Sequence, residues 1–114
     1  MKAVIFEQHG GPEVLKFTEV PDPQIKANEV LIEVRACALN HLDVWVRGGL
    51  PGIKIPLPHI LGNDVAGVVR EAGELVAWVK AGDEVMVQPG VSCGHCVECL
   101  AGRDNMCAEY DIIG

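Results

Sequence analysis

The sequence predicts a mainly β fold, a barrel or sandwich of short strands. Three observations predict it. Val and Ile supply 24 of the 114 residues, and β-branched side chains lose less freedom in strands than in helices. Gly and Pro supply another 20 and cut the chain into short pieces. No segment sustains an apolar stripe over three helical turns, which argues against a helical fold. Hydrophobic residues make up 49% of the chain, enough for a packed core.

Taken in order, Lys2 to Phe6 is expected as the first strand, and Gly10-Gly11-Pro12 as a turn. Val14 to Val20 follows as a loosely alternating strand, stopped by Pro21-Asp22-Pro23. Glu29 to Ala38 carries the clearest signal. Val30, Ile32, Val34, Ala36 and Ala38 share one face at period two, with Glu33 and Arg35 on the other. Cys37 falls in this strand and is expected as a small buried thiol. His41 to Arg47 is expected as a short helix stopped by Gly48-Gly49. Leu50 to Pro58 holds three prolines and is a loop. Asp64 to Arg70 is a strand with Gly67 inside it, a mark of a bulge or a close backbone approach. Gly82-Asp83 turns into a strand from Glu84 to Gln88, and Asp111 to Gly114 begins another element.

Charge and composition exclude several functions. The formal net charge is -7, from 16 acidic against 9 basic residues. An acidic chain without a basic cluster does not suit a phosphate backbone or an anionic membrane. Five aromatic residues leave little for base stacking. No apolar run approaches a membrane span, and the N-terminal stretch meets an acid at Glu7. A cytoplasmic protein that binds neither nucleic acid nor membrane is expected.

The strongest chemical signal lies between residues 90 and 108. Cys93, Cys96 and Cys99 stand at steps of three, and Cys107 follows eight positions on. Cys-x-x-Cys spacing aims two sulfurs at one ion, and four thiolates close a structural zinc site. Bound zinc deprotonates the thiols and leaves no position for substrate. Two disulfides would need an oxidising compartment. A redox Cys-x-x-Cys would need a βαβ context that is absent. The spacing alone leaves an iron–sulfur cluster open. One structural zinc is the favoured assignment, with His95 a solvated loop residue.

Three stretches resemble the medium-chain dehydrogenase/reductase superfamily, in its zinc-type alcohol dehydrogenase and quinone oxidoreductase branches. They are the lobe from Gly82 through Cys107, the segment Pro58 to Val69, and the segment Ala38 to Gly49. The opening Gly10 to Leu15 is similar to quinone oxidoreductases. The resemblance implies a GroES-like barrel, the N-terminal part of a substrate domain, with a structural-zinc lobe. In alcohol dehydrogenases a Cys stands at the position of Asn40 and a His at that of Asn63, both on the catalytic zinc. A carboxylate at the position of Asp64 also reaches that metal. Here both main positions carry amides, which are poor zinc ligands. A proton-relaying hydroxyl would fall at Leu42. The resemblance therefore implies a lost catalytic zinc.

Asn40, Asp43, Trp45, Arg47 and Gly49 fill the quinone oxidoreductase pattern instead. That branch implies metal-free hydride transfer from NAD(P)H, with Asn40 near the nicotinamide and able to hydrogen-bond a developing oxyanion. Asn40, Asp43, Asn63 and Asp64 are the candidate catalytic residues. The candidate substrates are carbonyls, quinones or alcohols.

Other roles stand beside these. Asn40 is a good N-cap, Asn63 fits turn chemistry, and Asp43 fits a solvated carboxylate or a partner for Arg47. Trp45 fits core or barrel rim, and His9 a structural role. His41, His59 and Asp64 are a weaker alternative metal set. A zinc alcohol dehydrogenase with altered ligands and a stand-alone zinc-binding module are the competing functions. Co-chaperonin activity is disfavoured, because fold does not carry function.

No dinucleotide fingerprint occurs, since Gly10-Gly11 precedes Pro12 rather than a helix. The chain is expected to be the N-terminal piece of a longer oxidoreductase, nearly silent alone. It is expected to expose surface that favours self-association or a homo-oligomer.

Overall fold

The computed structural model describes residues 1–114. The element order is β1 (Lys2–Phe6), β2 (Lys16–Glu19), β3 (Val30–Ala38), α1 (His41–Gly48), β4 (His59–Ile60), β5 (Asp64–Ala72), β6 (Glu84–Met86), β7 (Gly90–Val91), α2 (Val97–Leu100) and β8 (Asp111–Ile112). Short 3₁₀ turns cover Pro12–Val14 and Asp104–Met106. The strand-rich architecture with short helices agrees with the expectation. No helix is long and apolar enough to cross a membrane.

The strands form three antiparallel sheets, ordered β2-β1-β4, β3-β5-β6 and β7-β8. They do not join into one closed barrel within residues 1–114. The core is small. Phe6, Val14 and Val46 are buried together, with Leu15, Leu42, Leu50, Ile55 and Leu61 packed against them. Phe6 has no exposed surface, and His59 meets its ring edge-on at 5.6 Å.

Helix α1 sits on this core because its sequence alternates correctly for 3.6-residue periodicity. Leu42 and Val46, four apart, face inward with Asp43. Gly49 ends the helix at φ +93°, a conformation that favours glycine.

The pairing of β3 with β5 spans Val30↔Ala72 to Ala38↔Asp64 and is interrupted twice, between Leu31 and Ile32 and between Val34 and Ala36. These irregularities defeat the simple period-two face. Val34 is 54% exposed, and Ala36 and Ala38 are exposed as well. Cys37 is likewise exposed rather than buried, a correction to the sequence expectation. Gly67 fulfils its role as a close approach: a Cβ there would lie 2.3 Å from the Glu33 carbonyl oxygen.

The chain is open for its mass. Its accessible surface is 8240 Å², against about 6,100 Å² for a self-contained protein of this mass. Its radius of gyration is 15.6 Å, against about 13 Å for a compact domain of this length.

Candidate metal centre and cleft site

The four cysteines converge as their spacing predicts. Cys93 and Cys96 come from the knuckle that leads into α2, Cys99 from α2 itself, and Cys107 from the end of the second 3₁₀ turn. Their sulfurs all lie within 4.8 Å of one another. Cys93 and Cys99 Sγ are 3.9 Å apart, and Cys96 and Cys99 Sγ are 3.5 Å apart. A tetrahedron with zinc–sulfur bonds near 2.3 Å has sulfur–sulfur edges of about 3.8 Å. The four residues are all free thiols. The donor set and the spacing thus fit a tetrahedral thiolate metal centre.

The backbone supports the charge such a centre carries. The N–H of Cys96 donates to Cys93 Sγ at 3.4 Å, and that of Cys99 to Cys96 Sγ at 3.5 Å. Cys107 Sγ accepts from the N–H groups of Cys93 at 3.5 Å and Glu109 at 3.4 Å. Such outer bonds orient ligand sulfurs and favour the thiolate. A hydrogen bond from Ser92 is the largest influence drawing the Cys99 thiol down to about 7, against desolvation. At Cys96 the Cys99 N–H favours the thiolate. The neighbouring Cys99 and Cys93 thiols and desolvation outweigh it, pushing Cys96 up to about 11. His95 stays outside the sulfur cluster, exposed, its Nδ1 2.7 Å from the Cys93 carbonyl oxygen.

A second cluster forms where β3 delivers the chain to α1. The register Ala38↔Asp64 places Asn40 beside Asn63 and Asp64, although they are 23 and 24 residues away. Asn40 Nδ2 donates to Asn63 Oδ1 at 2.8 Å and to Asp64 Oδ2 at 2.7 Å. Asn63 is only 8% exposed, whereas Asp64 is exposed. Asn40 is also the N-cap of α1 and closes a capping box with Asp43.

Asp43 faces away from solvent. It is 7% exposed and spends both oxygens on backbone donors, Oδ2 on Asn40 N–H at 2.5 Å and Oδ1 on Gly62 N–H at 2.8 Å. It is neither solvated nor paired with Arg47, whose Nε donates to the Gly10 carbonyl at 3.2 Å. Its role is to tie the start of α1 to the Gly62 turn that carries Asn63. Sequence reasoning listed this residue for chemistry and missed the Gly62 bond, which only the tertiary fold creates.

The alternative set of His41, His59 and Asp64 does not assemble. His41 packs edge-on against Trp45 at 4.8 Å, and His59 packs on Phe6. The four cysteines are the one group of three or more His, Cys, Asp or Glu whose ligand atoms gather. Trp45 is 53% exposed, so it is not core. His9 Nδ1 lies 3.1 Å and 3.2 Å from two carbonyls in the last turn of α1, those of Val46 and Arg47, a structural contact.

Comparison with known proteins agrees with this geometry. Residues 26–114 match the family model of the alcohol dehydrogenase GroES-like domain. A NAD-dependent alcohol dehydrogenase of known structure is 51% identical and superposes with a TM-score of 0.94, covering 100% of this chain and 33% of that one. A cobalt- and zinc-bound thermostable alcohol dehydrogenase from Pyrobaculum aerophilum is 43% identical with a TM-score of 0.91, covering 100% and 34%. The quinone oxidoreductase of Sus scrofa is 40% identical over 107 residues, 93% of this chain and 32% of the relative. The chain spans about a third of the length of the relatives it matches. It belongs to the alcohol dehydrogenase GroES-like domain family of the medium-chain dehydrogenases/reductases.

Proposed function

We propose that this chain is the substrate-side domain of an NAD(P)H-dependent oxidoreductase, quinone oxidoreductase-like, with one structural zinc and no catalytic zinc. Cys93, Cys96, Cys99 and Cys107 hold the zinc. The observation that carries the metal-free cleft is the Asn40–Asn63–Asp64 cluster. Two neutral amides and one carboxylate offer a poor zinc site, where a catalytic ion needs about three good protein ligands. Asn40 moreover donates to both Asn63 and Asp64, so the cluster is organised as a hydrogen-bond network.

When bound, the nicotinamide supplies the hydride. The chain's own residues orient the acceptor and hold its oxygen, while Asp43 keeps the segment around Asn63 fixed against α1. The domain alone positions no hydride donor and is expected to be inactive.

The similarity to a cobalt- and zinc-bound alcohol dehydrogenase, together with the exposed Asp64 carboxylate, favours a second reading: an alcohol dehydrogenase with altered metal ligands. The two separate in the full-length enzyme stripped of labile metal by a chelator. Quinone or enone reduction that survives chelation supports the metal-free reading. Alcohol oxidation that vanishes on chelation and returns with zinc overturns it.

A further inference from the structure

The cleft cluster has a fixed polarity. The ionised Asp64 carboxylate only accepts hydrogen bonds. Asn40 therefore must turn its nitrogen toward Asp64 Oδ2, 2.7 Å away. The same nitrogen carries its second hydrogen to Asn63, so the Asn63 atom 2.8 Å from it must be the oxygen. Reversing either amide would oppose two donors or two acceptors. The orientation of Asn40 is thus set by Asp64 together with the Asp43 N–H, which the Asn40 side chain accepts in the capping box, and that of Asn63 by Asn40.

Two consequences follow for hydrogen-bonding capacity. Both hydrogens of Asn40 Nδ2 are already used inside the cluster. Asn63 spends its oxygen and keeps its Nδ2, which makes no hydrogen bond within the chain. Nor is that nitrogen sealed in the interior, because the one buried side-chain polar atom without a partner is His59 Nε2. The Asn63 side chain is held otherwise, over nine-tenths buried and next to the Gly62 turn fixed by Asp43. A donor that is positioned, unspent and not fully sealed from the surface is the arrangement an oxyanion requires.

We propose that Asn63 Nδ2, rather than Asn40, donates the hydrogen bond to the substrate oxygen, with Asn40 and Asp64 as positioning residues. This rests on the hydride-transfer reading above. A hydride from the nicotinamide adds to the acceptor carbon of a quinone or enone. The π pair of the conjugated system moves onto oxygen, and the enolate or phenolate so formed takes its proton from solvent. Asn63 binds that oxygen as its charge grows. The ligand class is therefore a planar carbonyl whose reduced form is an enolate or phenolate.

The test uses the full-length enzyme and two readouts. The first is binding of ring-substituted phenolates of graded basicity, which needs no catalysis. Wild-type affinity is expected to rise with phenolate basicity, and Asn63→Leu to flatten that slope. Asp64→Asn weakens the acceptor that, with the capping box, holds the Asn40 amide, and is expected to reduce the slope less than Asn63→Leu does while the metal content stays unchanged. The second is NADPH-dependent reduction of p-benzoquinone. There Asn63→Leu is expected to lower kcat about 100-fold, with a much smaller change in KM. A slope and a kcat that Asn63→Leu leaves intact would overturn the assignment. A wild-type enzyme that shows the slope but reduces no quinone or enone would sink the reaction class while leaving Asn63 as the oxyanion donor.

Discussion

Asp43 shows how a residue suited to chemistry is committed to architecture. Its carboxylate is buried and holds two backbone N–H groups from separate segments, at Asn40 and Gly62. Asp43→Ala leaves both donors without their partner in a site with little access to water. Each such loss costs about 1–3 kcal/mol. The variant is expected to unfold at a denaturant midpoint well below wild type, as read by chemical denaturation. Asp43→Asn keeps one acceptor and is expected to fall between the two. Equal stability of Asp43→Ala and wild type would contradict the structural role. The capping half of this arrangement is legible in the sequence, because Asn followed three residues later by Asp is a local signal. The Gly62 half is not, because it depends on how β5 returns beside β3.

The central strand pair makes its demands at the scale of the element. Gly67 lies opposite β3 with no room for a side chain. Gly67→Ala must push the strands apart and is expected to cost about 1–3 kcal/mol, read as a lowered thermal midpoint with the metal content unchanged. Retained stability would contradict the close approach. Three exposed carboxylates tie turns and ends. Asp22 holds the Met1 ammonium at 2.6 Å, Glu29 the Lys26 N–H at 2.9 Å, and Asp83 the Lys80 N–H at 3.0 Å. Those bonds lower all three pKa values: the N-terminal ammonium at Asp22, then the Lys26 N–H at Glu29 and the Lys80 N–H at Asp83. A carboxylate lowered in the folded state stabilises the fold above its unfolded value, near pH 4. That contribution is lost as pH falls through the lowered folded values. The triple amide variant is expected to show a shallower acid-induced loss of stability below pH 4 than wild type. An unchanged acid profile would contradict the linkage.

The strands beginning at Lys2 and Asp64 and the helix ending at Gly48 were readable from local pattern and punctuation. The two-residue strands β4 and β7 were not, since they are too short for a period and exist only through pairing with β1 and β8. The bulges in β3 also escape a period count. That is why Val34 is exposed where alternation alone placed it inside, while Cys37, expected buried on its thiol character, is exposed too. At the cysteine lobe the spacing sufficed, because Cys-x-x-Cys fixes sulfur geometry locally. At the cleft the residue types were legible and their hydrogen bonds were not.

The whole molecule carries more open surface than its mass would leave on a closed domain. Leu39, Leu75, Trp78, Met86, Val97 and Leu100 are all more than 70% exposed. Apolar surface on that scale favours association. Light scattering of this chain at micromolar concentration is expected to show self-association, and a clean monomer would contradict that expectation. A metal bound by the four cysteines would add its binding free energy to the folding free energy of this open chain. The proposed function requires one metal site, in the cysteine lobe. Native mass spectrometry of the chain, purified without added metal, tests it most directly. One zinc per chain, lost on Cys96→Ser and retained on Asp64→Asn, is the predicted result. Two zincs per chain, or one that survives Cys96→Ser, would contradict it.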